Sequence, residues 1–226
     1  MTNKLKCGIN LIRLSDKDIE CGVCKICIAK SKLIYPFQRD LKTSRQLVDA
    51  LKSYIETNTG YKCKNTEIDK NPDIVVFDII DTTKPKGELI CRVEAKMLEG
   101  YAFMKAEQLL ADHLKPKETL VVDEPKLISY FECVKNDLRY HGKSVPIYIV
   151  WKFDRPCADL GGITVFQEIK ILKNIYDKRG NDRSFERKTV DSDIVNGVKR
   201  GVTTKYHFSL RECRPIEELI QEINSL

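Results

Sequence analysis

Asp73, Glu94 and Lys96 are residues of the types that act on phosphate esters. Carboxylate oxygens suit a hard cation such as Mg2+, which usually takes one or two carboxylates and keeps waters and substrate phosphate oxygens for the rest. An ammonium beside the ion can orient an attacking water or offset charge developing on the phosphate. The three residues lie in the stretch Asn71 to Leu98, NPDIVVFDIIDTTKPKGELICRVEAKML. Two apolar runs, Ile74 to Ile80 and Leu89 to Val93, flank Asp81 to Glu88, whose Pro85 and Gly87 mark the tip of a β-hairpin. Alternation along the second strand puts Ile90, Arg92, Glu94 and Lys96 on one face and Leu89, Cys91, Val93 and Ala95 on the other. Asp73, at the start of one strand, then falls beside Glu94 and Lys96 at the end of its antiparallel partner. The same letters also fit an ion pair closing an exposed strand, with Asp73 as a turn residue after Pro72.

A second group of residues could hold metal. Cys21, Cys24 and Cys27 are spaced at two-residue gaps, with Cys7 upstream, in a chain of nine cysteines. Four thiolates meet the tetrahedral requirement of a structural Zn2+, and a Cys-x-x-Cys loop supplies two of them from one turn. The spacing also resembles a ferredoxin-type iron–sulfur run, but lacks that pattern's fourth cysteine followed by proline. Zinc is the preferred metal, and Cys63 is a possible substitute ligand. His113, His141 and His207 form no ligand spacing and read as structural or surface residues.

The elements that must position the acids follow from periodicity. Thr43-x-x-Gln46 reads as a capping box, and Leu47, Val48, Leu51, Tyr54 and Ile55 recur at helical spacing before Asn58-Thr59-Gly60, predicting a helix over 43–57. Tyr61 to Ile68 reads as a strand and is followed by the hairpin. Residues 97–125 read as an insertion with a short helix around Ala102 to His113 and a strand over Thr119 to Val122. Glu124-Pro125 opens a helix that Gly142 ends. Val145 to Phe153, VPIYIVWKF, is the near-continuous apolar run of a strand buried on both faces.

Pro72-Asp73 followed by Glu94-Ala95-Lys96, within a helix, strand, strand, strand, helix, strand order, resembles the PD-(D/E)xK nuclease superfamily. Within it, residues 43–153 are most similar to archaeal-type Holliday-junction resolvases and some restriction endonucleases. The resemblance implies a restriction-endonuclease-like α/β fold, an α-β-β-β-α-β core on a mixed central sheet. It implies Mg2+ held by Asp73, Glu94 and the main-chain carbonyl of Ala95, with Lys96 assisting the water. Many such enzymes add a glutamate near the start of the first helix, where this chain has Ser44, Arg45 and Gln46. Asp40, Asp49, Glu56, or Gln46 through a metal-bound water, are the substitutes that helix offers.

The expected organisation is a cysteine-rich metal module, 1–35, and a nuclease domain, 36–226, with a C-terminal extension from 154. In that extension Ile163 to Gln167 and Thr203 to Leu210 read as strands, and Pro215 to Ile223 as an amphipathic helix. The polar stretch between, 177–205, carries Lys178, Arg179, Arg183, Arg187, Lys188, Lys199, Arg200 and Lys205 and reads as a DNA-contacting loop or a surface excursion. The net charge of +6 favours a phosphate-bearing partner, as does the excess of ten Lys/Arg over five acids in residues 1–50. No apolar run approaches the length of a membrane span and no signal-peptide core follows the start, so a cytoplasmic location without membrane association is expected. The reading is a Mg2+-dependent deoxyribonuclease acting on DNA, with a homodimer among the expected assemblies. The alternative is a non-catalytic, zinc-containing DNA-binding or assembly protein on the same fold.

Overall fold

A 23-residue helix, α1 (Phe37–Thr59), leads the part of the chain that the computed structural model describes. That part comprises residues 37–66, 71–78, 87–99, 103, 105–154, 163–189, 194–195, 197–199, 201 and 203–226. The cysteine module, with Cys7, Cys21, Cys24 and Cys27, and most of the hairpin tip lie outside it. The helix starts upstream of the expected capping box, so Thr43 is interior. In sequence it follows Pro36, and a proline at a helix head loses no hydrogen bond because first-turn amides have no helical partner. Gly60, at φ +76°, turns the chain out, its N–H donating to the Glu56 carbonyl at 3.3 Å. Leu47, Leu51 and Ile55 fall on one face and are buried.

The central sheet is mixed and six-stranded, in the order β1-β2-β3-β5-β6-β11. Its members are β1 (Lys62–Asn65), β2 (Ile74–Asp78), β3 (Glu88–Glu99), β5 (Ile147–Asp154), β6 (Thr164–Glu168) and β11 (Arg214–Pro215). β2 and β3 are the antiparallel hairpin, with Ile74 opposite Val93 and Asp78 opposite Glu88. A Cβ at Gly87 would sit 2.2 Å from the Asp78 carbonyl oxygen, so only glycine lets β3 begin so close to the end of β2. β3 then pairs in parallel with β5, Lys96 opposite Trp151. The expected strand Tyr61 to Ile68 is shorter as described, ending at Asn65.

Apolar layers cover both faces. On one, α1 and the last helix, α5 (Ile216–Asn224), pack Leu47, Leu51, Ile55, Ile216, Leu219 and Ile223 against Val76, Cys91, Val93, Tyr148 and Val150. On the other, α3 (Glu124–His141) and α4 (Ile169–Arg179) meet Ile147, Ile149, Trp151 and Phe153. β5 is thus buried on both faces, as its sequence predicts. Between β3 and α3 lie a four-residue helix, α2 (Ala106–Leu109), and β4 (Thr119–Asp123). β4 joins β10 (Thr204–Ser209) and β7 (Ser184–Glu186) in a second sheet, order β4-β10-β7. Residues 164–226 therefore supply two strands and two helices to the central layers as well as most of this second sheet. Among the described residues, no helix is long and apolar enough to cross a membrane.

The polar stretch 177–205 is not one long loop. It contains the end of α4, β7 and a small hairpin, β8 (Ile194–Val195) with β9 (Val198–Lys199). Arg183 is 3% exposed, its Nε 2.5 Å from Asp112 Oδ2 and its NH1 2.6 Å from Glu212 Oε2. It is a structural clamp rather than a phosphate contact, because both faces of its guanidinium fork are already taken by acids distant in sequence.

His207 is buried beneath this network, ring-stacked on Phe103, with Nδ1 3.3 Å from the Arg183 carbonyl oxygen. Burial pushes its pKa down to about 4 from 6.5, with Lys205 acting in the same direction and the Arg183 carbonyl opposing. Between those values the unfolded chain takes up a proton here that the folded chain does not. Acidification from pH 7 towards 4 therefore removes on the order of 3 kcal/mol of stability, at ~1.4 kcal/mol per pKa unit. His207→Gln is expected to flatten the fall of thermal midpoint over that range. Parallel falls in the two proteins would assign the acid sensitivity elsewhere.

Candidate active site

The register that places Ile74 opposite Val93 brings Asp73 level with Glu94. Asp73 Oδ2 accepts the Ala95 N–H at 2.9 Å, and the Asp73 N–H donates to Glu94 Oε2 at 3.3 Å. Glu94 Oε1 lies 2.6 Å from Lys96 Nζ. The end of β1 buttresses the acid, the Thr66 N–H donating to the Asp73 carbonyl at 2.8 Å. Asp73, Glu94, Ala95 and Lys96 thus come together as the hairpin reading expects.

The surroundings differ from that reading in two ways. The face carrying Arg92, Glu94 and Lys96 is not open to solvent: it packs towards α3. Glu94 is 1% exposed and Lys96 17%, while Arg92 is clamped bidentately by Asp137 of α3 at 2.9 and 2.8 Å. An ordinary surface ion pair is not what this pair is. Ile90 does not share that face either. A β-bulge pairs Val76 with Cys91 and the next residue, Phe77, with Leu89, so Ile90 is the extra residue and packs with the layer beneath α1.

The electrostatics follow from crowding two acids and one base in a dry place. Burial, and then the Glu94 charge, raise the Asp73 carboxyl to about 6 against the stabilising Ala95 N–H and Lys96. Burial works against the Lys96 charge, but Glu94, Asp123 and Asp73 more than compensate and raise its pKa. Asp123, at the end of β4, feels burial too, yet its ion pair with Lys205 of β10 and the charges of Lys96 and Lys126 hold its pKa below normal.

A cleft of about 490 Å³ opens over the acids, walled by Ser44, Arg45 and Asp49 of α1, Thr66, and Lys126 of α3. Of the helix acids offered as a further ligand, Asp49 lines this cleft. Glu56 does not: its Oε1 accepts the Cys63 N–H at 2.9 Å. Gln46 is exposed, and the Asp40 side chain lies outside the described set. Cys63 is a core residue beneath α1, its thiol raised to about 11 by burial and by Glu56, which makes it a poor metal ligand.

The residues suit a hard divalent cation. Asp73 and Glu94 offer carboxylate oxygens and Ala95 a main-chain oxygen, and the buried hydroxyls of Thr66 and Tyr130 lack hydrogen-bond partners. No group of three or more His, Cys, Asp or Glu is arranged to hold a metal ion among the described residues. A two-carboxylate set is what an ion that keeps several waters requires. Asp123, Lys126 and Tyr130 escaped the sequence reading, and Lys205 was read only as part of the polar stretch, because they come from a helix and a second sheet whose docking no local pattern encodes. The acid and proline opening α3 were visible, but not the surface they face.

No protein-family model and no curated protein sequence matches the chain. Among solved structures it is similar to the 1.6 Å structure of Hjc, a Holliday junction resolvase from the archaeal hyperthermophile Archaeoglobus fulgidus. The likeness covers 79% of this chain and 96% of that one, at 10% identity and a TM-score of 0.40. At that distance it carries no functional inference.

Proposed function

We propose that this protein is a Mg2+-dependent endonuclease that hydrolyses DNA phosphodiester bonds, in the manner of a restriction enzyme or a junction resolvase. The observation that supports it is the hydrogen bond from the Ala95 amide to Asp73. It ties the acid of one strand to the middle of the Glu94-Ala95-Lys96 run on the next, inside a cleft with cationic walls. Asp73, Glu94 and the Ala95 carbonyl would hold the ion, which supplies Lewis acidity towards a phosphate oxygen and a water made acidic enough to attack.

The chain's own side chains do the rest. Lys96, pinned between acids, presents its ammonium where negative charge grows on the phosphate and orients the water in line. Arg45 and Lys126 offer positive charge on opposite walls of the cleft for the flanking phosphates. Cys7, Cys21, Cys24 and Cys27 are proposed zinc ligands, which metal analysis of protein purified without chelator checks: neither zinc nor iron would remove that assignment.

The deciding experiment incubates plasmid, single-stranded and four-way-junction DNA with the protein in Mg2+ and then in EDTA. Cleavage of at least one substrate in Mg2+, lost in EDTA, is the expected result. Binding without cleavage of any of them would favour the non-catalytic DNA-binding protein instead.

A further inference from the structure

Tyr130 sits at the base of the site, on the turn of α3 that follows Lys126. It is wholly buried, and its hydroxyl is among the few buried side-chain oxygens of the described residues that make no hydrogen bond. Leaving such a group unpaired usually costs ~1–3 kcal/mol, so an orphan here asks for an explanation. Its surroundings supply one: burial first, then Glu94 both by its charge and as an acceptor, then the charges of Asp73 and Asp123, raise the phenol pKa. A neutral O–H thus stands beside these carboxylates, near enough to Glu94 for that acid to act on it as an acceptor, yet outside full hydrogen-bond geometry.

The present partners of Glu94 explain why. One of its oxygens is occupied by Lys96 and the other by the Asp73 amide. A cation held by Asp73 and Glu94 would compete with the Lys96 ammonium for Glu94, because like charges repel. The charge of Asp123, which Lys205 holds from the second sheet, would still favour the Lys96 ammonium. Glu94 is left needing a donor that carries no positive charge.

We propose that Tyr130 is a positioning residue for metal binding, its O–H donating to the Glu94 carboxylate once the ion has displaced Lys96 from it. The assignment rests on the metal reading of Asp73 and Glu94. A neutral phenol suits the task better than an ammonium, because it fixes the carboxylate without subtracting from the charge the ion needs. Support of this kind, behind a ligand rather than on the metal, commonly changes metal affinity by ~10–100-fold when lost.

The test is Mn2+ titration of the full-length protein, without DNA, followed by the electron paramagnetic resonance of free Mn2+ and by calorimetry. Wild type, Tyr130→Phe and Asp73→Asn are compared, each with a thermal melt in EDTA. Tyr130→Phe removes only the orphan hydroxyl, so its metal-free midpoint is expected at or above that of wild type while Mn2+ binds ~10-fold or more weakly. A plain core tyrosine gives the opposite pattern, a lower midpoint with unchanged Mn2+ affinity, and that result would overturn the proposal. Asp73→Asn separates the two layers of the argument. If wild type binds Mn2+ and Asp73→Asn does not, an unchanged Tyr130→Phe sinks the tyrosine role alone. If wild type and Asp73→Asn are equally unable to bind, the metal reading falls and takes the tyrosine role with it.

Discussion

Asp73→Asn, Glu94→Gln and Lys96→Ala are each expected to lower DNA hydrolysis by at least ~10²-fold, the usual scale for losing one group aimed at a developing charge. The three differ in what else they do. Asn at 73 keeps an oxygen for the Ala95 N–H and removes one of two facing carboxylates. Their mutual repulsion contributes to raising Asp73 to about 6, so the metal-free protein should be no less stable than wild type. Its DNA affinity in Ca2+ should hold or rise, since a negative charge facing phosphate is gone. Glu94→Gln leaves the Lys96 ammonium, only 17% exposed, without its 2.6 Å partner, and some loss of stability is expected alongside the loss of rate. A cleavage time course beside a binding titration in Ca2+ and a thermal melt reads all of this. If Lys96→Ala cuts at the wild-type rate, Glu94 and Lys96 are an ordinary buried ion pair and the assignment of catalysis to Lys96 is wrong.

Arg183→Ala is expected to be among the most destabilising single changes, by about 3 kcal/mol, the low end of the range for stripping one partner from a buried charge network. The low end applies because Asp112 and Glu212 keep 16% and 22% of their side-chain exposure, so water relieves part of the loss. The clamp ties Asp112, just beyond α2, to Glu212 near the end of the second sheet, and the variant leaves two acids facing a space shaped for guanidinium. Urea unfolding measures it. A variant as stable as wild type would mean the two acids relax into solvent, and that Arg183 is not what holds these segments together. DNA affinity, measured where the variant is still folded, should be unchanged.

Arg183 also illustrates what the sequence could and could not tell. Its neighbours in the chain are polar and basic, so local composition groups it with a phosphate-binding loop. Its real partners are about 71 and 29 residues away and carry no motif. The hairpin was legible for the contrary reason: Asp73, Glu94 and Lys96 are set by strand alternation and a glycine-bearing turn, both local rules. The burial of β5 was legible from its unbroken apolar run. The start of α1 was misread because Thr43 and Gln46 mimic a capping box inside a helix that already begins at Phe37. The burial of Glu94 was illegible because it depends on α3 docking, which brings Tyr130 and Asp137 over a face that alternation alone marks as polar.

The placement of β11 and α5 bears on how the molecule is made. The chain emerges from the ribosome with residues 73–96 well ahead of 214–224, yet the latter close the sheet beside β6 and complete the cover over Leu47, Leu51 and Ile55. Such non-local closure is paid for late, after long stretches of backbone have already been ordered. The hairpin bearing the acids can form early, but the helix forming one wall of its cleft lacks part of its seat until residues 216–223 have been made. The cleft over the acids would therefore be completed only once residues 214–224 are in place, and not by the hairpin alone.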